Sequence, residues 1–137
     1  RASYEAVRKA ATDFPSLNVT AAWWDGSWHV TVGARPLRAT LLQGEACGLT
    51  SEQPSEDELR ALAASVRALS YGTNLWGSAE YRRRISAPLA VQAVRRAAGI
   101  ELSAALAREL ETVQVPKFAT DEYSCRRVPG VDSSEVR

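Results

Sequence analysis

The chain has 137 residues, which is the length of a single domain. Its net charge of +1 creates no field that would attract nucleic acid or an anionic membrane surface. The apolar runs are too short to span a membrane, no signal peptide opens the chain, and there are two cysteines, Cys47 and Cys125. We therefore expect a cytoplasmic protein in a reducing compartment, and the pairing of the two cysteines stays open.

The first third of the chain predicts β-structure. Residues 4–10 alternate weakly, which is compatible with a short strand or a helical turn. Residues 18–24 are rich in β-branched and aromatic side chains, and residues 27–32 alternate between apolar and polar. Asp25-Gly26 between them is a strong hairpin turn signal. A further apolar stretch at 38–42 either adds a strand or leads into a short helix.

The period then changes from two to 3.6, which predicts helices. Ser55 and Glu58 have the spacing of a capping box, and a helix of about four turns follows them. Ser78 is the predicted cap of a second helix, which ends before Gly99. A third helix is predicted at 101–112, and leucines at positions 102, 106 and 110 form its apolar stripe.

Because the strands come first and the helices follow, the sequence predicts an α+β fold. We expect a small three-stranded antiparallel sheet within residues 2–42, packed against a bundle of about three helices within residues 55–112. The predicted domain therefore covers residues 1–116. Residues 117–137 are polar and contain Pro129 and Gly130, which is typical of an extended tail or linker.

The sequence predicts no catalytic residue and no metal site. The sequence has no glycine-rich phosphate loop and no nucleophile elbow. Its single histidine, His29, is expected to be a solvent-facing or hydrogen-bonded strand residue rather than a catalytic base. The acidic run at 56–58 lies in a helix's first turn, where the helix dipole stabilises carboxylates.

Two other clusters are candidates for binding. Arg82, Arg83 and Arg84 lie near a helix N-terminus, where the dipole disfavours cations. Either nearby carboxylates such as Glu80 compensate them, or they meet a bound phosphate or a partner's acidic surface, so we take them as candidate docking residues.

Three of the four tryptophans, Trp23, Trp24 and Trp28, lie on the predicted hairpin. Trp23 and Trp24 are adjacent and must point to opposite faces of their strand. One can lie in the core, and the other needs cover from a helix, a partner or a flat ligand such as a flavin ring.

Read in order, these segments resemble the C-terminal domain of the FAD-binding (medium) subunit of molybdenum hydroxylases, the carbon monoxide dehydrogenase and xanthine dehydrogenase flavoprotein family. The most specific stretch is GSAEYRR at 77–83, which leads into the long helix. The opening SYEAVRK at 3–9, Asp13-Phe14 and the WDGSWHVTVGARPLRA stretch at 24–39 are similar to the family's opening strand, turn and hairpin. The likeness runs over about residues 2–98.

The resemblance implies the same fold and a role in electron transfer. Electrons would leave a molybdenum cofactor, pass through [2Fe–2S] clusters and reach FAD, which reduces an external acceptor. The molybdenum cofactor and the clusters would belong to partner subunits or domains, and upstream FAD-binding domains would hold the flavin phosphates. This domain would cap the flavin and dock the partners, without being catalytic alone. Lys9 and Asp13 match the family's opening motif and are, with Trp23 and Trp24, the candidate cofactor-binding residues.

Departures from the family pattern leave an alternative open. The family often has basic residues where this chain has Ala6 and Ala10, and an aspartate where it has Asn74. These differences favour a non-catalytic interaction or assembly module of the same fold that has lost its contact with flavin. The chain also contains no methionine, so we expect the natural protein to have sequence upstream of Arg1.

Overall fold

The computed structural model describes residues 1–111, and it confirms the α+β class. A β-sheet forms from the first part of the chain, and helices follow it. The strands are β1 (Ala2–Val7), β2 (Leu17–Trp24), β3 (Ser27–Gly33) and β4 (Thr40–Gln43). The helices are α1 (Glu56–Ala68), α2 (Ala79–Ala98) and α3 (Ala104–Glu111), and a single 3-10 turn lies at Gly44–Ala46.

The sheet has four antiparallel strands in the order β1-β2-β3-β4, so the prediction of three strands is wrong. The additional strand, β4, overlaps the stretch at 38–42 for which the sequence left a strand or a short helix open. Both interpretations hold in part, because β4 runs directly into the 3-10 turn at Gly44–Ala46. β4 pairs with the middle of β3, where it satisfies backbone groups that a three-stranded sheet would leave exposed.

The β2–β3 hairpin is confirmed. Asp25 and Gly26 form its two-residue turn, and both have positive φ, at 51° and 70°. This is the type I′ geometry, whose twist matches that of the strands it joins. The turn therefore sets the register in which Trp23 pairs with Trp28 and Asn18 pairs with Gly33.

The core lies between one face of the sheet and helices α1 and α2. Alternate residues of β2 and β3 point into it, as the period of two requires. The fully buried members from the sheet are Leu17, Val19, Ala21, Trp28, Val30 and Val32. The helices contribute an apolar stripe of α1 (Leu59, Leu62, Ala63, Val66) and the small residues of α2 (Ala87, Ala90, Ala93, Ala97).

Polar contacts also join β1 to α2 on the core side of the sheet. Ser3 donates its hydroxyl to the carbonyl of Ala93 at 2.6 Å. The Glu5 carboxylate lies 2.8 Å from the guanidinium of Arg96. These two contacts hold the edge strand β1 against α2, although two of the core-facing positions of β1 are polar.

The helix boundaries follow their caps. The hydroxyl of Ser78 accepts a hydrogen bond from the N–H of Tyr81, and α2 ends at Gly99 in the left-handed conformation, as predicted. The last helix begins three residues later than predicted because Ser103 caps it, accepting the N–H of Leu106 at 3.2 Å. Position 112, the predicted tail at 117–137 and Cys125 lie outside the described residues.

The capping box of α1 is confirmed and centres on Glu58. Burial opposes ionisation of this carboxyl, but donors from the Ser55 backbone and from the backbone and hydroxyl of Thr50 outweigh it, and its pKa falls to about 2. A folded-state pKa below the usual value means that the ionised group stabilises the fold above its unfolded pKa. This stabilisation is lost as the pH falls from 4.5 to about 2.

We expect Glu58→Gln to lower the free energy of unfolding by about 1 kcal/mol at pH 7, the usual value of a helix cap. The difference from the unmodified chain should shrink as the pH falls from 4.5 to about 2, because Glu58 then becomes protonated in both states. Urea unfolding at several pH values measures this. Asp57→Asn is the control, since Asp57 is exposed and only pairs with Arg60 at the surface. An equal loss in both variants would contradict the role of the cap.

Candidate functional site

Within residues 1–111, the helices cover one face of the sheet and leave the other open. The outward residues of neighbouring strands stand opposite one another: Tyr4 pairs with Thr20, Thr20 with Thr31, and Thr31 with Leu41. Across residues 1–111, the strand positions on this open face carry no charged side chain: Ala2, Tyr4, Ala6, Asn18, Thr20, Ala22, Trp24, Ser27, His29, Thr31, Gly33, Leu41 and Gln43. Tyr4, Trp24 and Leu41 are exposed large side chains.

The two adjacent tryptophans point to opposite faces, as the strand period requires. Trp23 is half-buried and packs against the core, with its ring centroid 5.6 Å from that of Trp28. Trp24 is 70% exposed and lies on the open face, 5.8 Å from the His29 ring. Of this adjacent pair, Trp24 is therefore the one that a flat ligand or a partner can reach on the open face.

His29 is a hydrogen-bonded strand residue. Its Nε2 lies 2.6 Å from the side-chain nitrogen of Gln43 on β4. If the amide donates, Nε2 accepts, and the imidazole proton is then on Nδ1. This contact joins the hairpin to the fourth strand across the open face.

Lys9 and Asp13 lie elsewhere, in the loop between β1 and β2. Lys9 is exposed and Asp13 is half-buried, with its N–H bonded to the carbonyl of Ala10 at 3.1 Å. β2 separates this loop from Trp24, a distance of about 23 Å at ~3.3 Å per strand residue. The structure therefore does not bring the four candidate cofactor-binding residues together. Lys9 and Asp13 share one end of the sheet, and Trp23 and Trp24 the other.

Sequence reasoning missed two residues of the open face. Tyr4 is half exposed on β1, and the guanidinium of Arg8, just beyond the strand, lies 3.4 Å from its hydroxyl. The signal was present in the alternation of β1. It was hidden because the weak pattern left both a strand and a helical turn open, and only the strand places Tyr4 beside Thr20.

Arg82 occupies a different position from its two neighbours. Its side chain is 0% exposed, and desolvation by burial lowers the pKa of its guanidinium. Its nitrogens donate to oxygens of three connecting segments: the carbonyls of Ser16, Ala34, Gly72 and Gly77 and the Oδ1 of Asn74. Arg82 is thus a structural residue that no docking partner reaches, which corrects its place in the predicted docking set. Within residues 1–111, carbonyl and amide oxygens offset the charge of Arg82, and not carboxylates, which were one of the alternatives left open by the sequence.

Arg83 and Arg84 follow Arg82 on α2 and are both exposed. They lie on the helix surface, away from the buried guanidinium. They are the members of the arginine cluster that can meet an acidic partner.

The described part of the chain contains few groups suited to metal binding or nucleophilic chemistry. Residues 1–111 contain no group of three or more His, Cys, Asp or Glu side chains that could hold a metal ion. Cys47 is buried, and burial raises the pKa of its thiol. No helix in this range is both long and apolar enough to cross a membrane.

Comparison with solved structures supports a related fold. The chain is similar to the crystal structure of quinoline 2-oxidoreductase from Pseudomonas putida 86, a molybdenum hydroxylase, with a TM-score of 0.58 and 16% sequence identity. The match covers 72% of this chain and 36% of that chain, so the chain spans about a third of its neighbour's length. No protein-family model matches the chain, and no curated protein matches it in sequence. At this identity the likeness establishes the fold alone.

We expect Arg82→Lys to lower the free energy of unfolding by about 3 kcal/mol, because an ammonium cannot reach acceptors spread around a planar guanidinium. Arg83→Lys, one residue along the same helix, should change it by less than about 0.5 kcal/mol, since Arg83 is exposed. Urea unfolding followed by tryptophan fluorescence measures both. Equal stability of the two variants would show that the buried network contributes little.

Proposed function

We propose that this chain is the C-terminal domain of a molybdenum-hydroxylase-type flavoprotein subunit and closes over the isoalloxazine ring of FAD. The related fold of quinoline 2-oxidoreductase supports this proposal, and the open face of the sheet carries it. The FAD phosphates would be held by other domains. The molybdenum cofactor and the [2Fe–2S] clusters would belong to partner subunits or domains.

The composition of the open face favours contact with a flat apolar surface rather than with water. A one-sided antiparallel sheet normally presents polar and charged residues to solvent. Here the outward strand positions within residues 1–111 are uncharged, and Tyr4, Trp24 and Leu41 are exposed among them. Tyr4 and Leu41 lie on the two edge strands, at opposite ends of the row that passes through Thr20 and Thr31. An uncharged sheet face with exposed aromatic and aliphatic side chains is suited to binding an apolar surface.

The face also has a suitable shape for a fused ring system. Four strands at ~4.8 Å spacing make it about 14 Å wide. Small side chains fill its middle, where Ala22 lies between Ala2 and His29 in the register. Tyr4 lies on the edge strand β1 and Trp24 at the hairpin end of β2, so a planar ring placed between them could lie on the small residues and contact the aromatic rings.

The charge beside the open face suits the isoalloxazine ring of FAD and not its phosphates. Arg8 is the cation that borders the open face beside Tyr4, and one guanidinium is too little to hold a pyrophosphate. When bound, the flavin would supply the step that takes electrons from the clusters to an external acceptor. In this chain Trp24 and Tyr4 would stack and exclude water, and Arg8 would favour the negative charge of a reduced ring.

The other candidate residues would serve the contacts between domains. Lys9 and Asp13 lie at the far end of the sheet from Trp24, where they would meet a neighbouring domain. The exposed Arg83 and Arg84 would dock an acidic surface of a partner. The domain would thus support the reaction without catalysing a step alone.

We expect lumiflavin, the isoalloxazine ring without the ribityl phosphate, to bind weakly and saturably to the full chain. In ¹⁵N spectra its addition should shift the indole N–H signal of Trp24 and leave that of Trp28, which donates to the Ser51 carbonyl at 2.8 Å inside the core, unchanged. Trp24→Ala should weaken binding by about two- to tenfold, since an aromatic stacking pair contributes ~0.5–1.5 kcal/mol.

Phe14→Ala is the matched control, because Phe14 is also an exposed aromatic residue but lies in the loop at the other end of the sheet. It should bind lumiflavin as the unmodified chain does. Equal binding by Trp24→Ala and the unmodified chain, or no saturable shift of any open-face signal, would refute the flavin role.

The second candidate function is an interaction module of the same fold that has lost flavin contact. It is favoured by Ala6, which lies on the open face at a position where the resembling family often has a basic residue. In that case lumiflavin shifts no open-face signal. Arg83→Glu together with Arg84→Glu then weakens association with the iron–sulfur and molybdenum-binding partners, without changing the stability of the free chain.

A further inference from the structure

A second concave surface lies at the end of the sheet remote from the Asp25–Gly26 turn. It is an open groove of about 430 Å³ between the β1–β2 loop, the turn after β3 and the α1–α2 connection. Phe14, Pro36 and Trp76 contribute to its walls, and Arg35 and Asn74 contribute to its polar surface. It lies at the opposite end of the sheet from Trp24, and it plays no part in the flavin contact proposed above.

The walls of the groove present aromatic rings at a wide angle. The ring centroids of Phe14 and Trp76 are 6.4 Å apart, and the planes meet at 64°. Phe14 is 76% exposed, so a face of its ring is free for a further contact. The backbone of Trp76 is anchored because its carbonyl accepts the hydroxyl of the buried Ser16 at 2.7 Å. A flat ring that enters the groove would therefore meet two aromatic walls set at an angle to each other.

The polar surface of the groove offers hydrogen-bond donors. The Asn74 Oδ1 accepts both the Arg82 guanidinium and the N–H of Trp76, the latter at 2.9 Å. The amide nitrogen of Asn74 is consequently turned away from these donors, and it can donate towards a ligand. Arg35 is 8% exposed and lines the groove, and it is fixed by bonds to the carbonyls of Arg38 at 2.9 Å and Ser70 at 2.6 Å.

The electrostatic balance beside the groove is positive. Arg35 and Arg82 are both buried. Gly72 is hydrogen-bonded to both residues: its N–H donates to the Arg35 carbonyl at 2.8 Å, and its carbonyl accepts from the Arg82 guanidinium at 2.8 Å. Within residues 1–111 neither guanidinium has a carboxylate partner, and Asp13 beside Phe14 pairs with neither. A negative charge in the groove would be attracted to these two buried cations.

From these observations we propose that the groove binds a small aromatic carboxylate. Its ring lies against Phe14 and Trp76, and its carboxylate accepts hydrogen bonds from the Asn74 amide and faces the Arg35 guanidinium. The aromatic walls select the ring, and the unpaired cations select the charge. Neither feature alone would distinguish this class of ligand from a neutral aromatic molecule or from a simple anion.

The test is a titration of the full ¹⁵N-labelled chain with benzoate, followed by the indole N–H signals of its four tryptophans. Benzoate should shift the Trp76 signal saturably and leave the Trp24 and Trp28 signals in place. Benzamide has the same ring without the charge, and acetate has the charge without the ring. Benzamide and acetate should each bind at least about tenfold more weakly than benzoate, given the usual strength of a charge-assisted hydrogen bond.

Two variants complete the test. Asn74→Asp places a carboxylate beside Arg82 within the chain, so it should neutralise the cation, repel benzoate and weaken its binding by about tenfold. Phe14→Ala removes an exposed ring without disturbing the core and should weaken benzoate but not acetate. Trp24→Ala is the control and should leave benzoate binding unchanged. An unshifted Trp28 signal shows in each variant that the core is intact.

Three results would each overturn the proposal. One is the absence of a saturable Trp76 shift with benzoate. Another is equal affinity for benzoate and benzamide, because the buried cations would then play no part. The third is unchanged benzoate binding in both Asn74→Asp and Phe14→Ala, which would place the ligand outside the groove. None of these results depends on whether lumiflavin binds the open face.

Discussion

The fold depends on one buried cation. The guanidinium of Arg82 donates to oxygens in the β1–β2 loop, in the turn after β3 and in the α1–α2 connection, three segments that lie far apart in the sequence. A guanidinium is suited to this role because its donors point outwards in one fixed plane, whereas an ammonium is a compact charge. Together with the bonds from the Ser16 hydroxyl to the Trp76 carbonyl and from the Gly72 N–H to the Arg35 carbonyl, this side chain holds three loops at one end of the sheet.

Burial of this cation has an electrostatic consequence. Desolvation disfavours the charged form, and carbonyl dipoles offset this only in part. The same residues that satisfy Arg82 also line or support the groove: Asn74 lies in both, and the Ser16 hydroxyl anchors the Trp76 backbone. The structural network and the candidate anion site are therefore physically one unit, while Trp24 lies at the opposite end of the sheet.

The parts of the structure that local chemistry determines were predictable from the sequence. The Asp25–Gly26 turn, the Ser55–Glu58 box and the Ser78 and Gly99 caps each depend on a few adjacent residues, and each is confirmed. β4 was ambiguous because a four-residue strand carries little periodicity and owes its existence to pairing with β3. The opposite facing of Trp23 and Trp24 also followed from the strand period, although which of them would be covered did not.

The candidate site was less predictable for the same reason. The unusual placement of arginines in a first helical turn was visible, but the acceptors of Arg82 lie up to 66 residues away in sequence. No local pattern shows that three loops converge on one side chain. Equally, Lys9 and Asp13 are close to Trp24 along the chain, and only the extended conformation of β2 places them at opposite ends of the sheet.

The order of the strands bears on how quickly this chain folds and on how long it remains folded. Each strand pairs with its neighbour in sequence, so the sheet can form through short loop closures. The contact between Arg82 and Ser16, in contrast, closes a long loop and is expected to form after the transition state. An interaction that forms late slows unfolding more than it accelerates folding. The buried guanidinium would thus act chiefly on the unfolding rate, which sets the lifetime of the native state, and less on the folding rate.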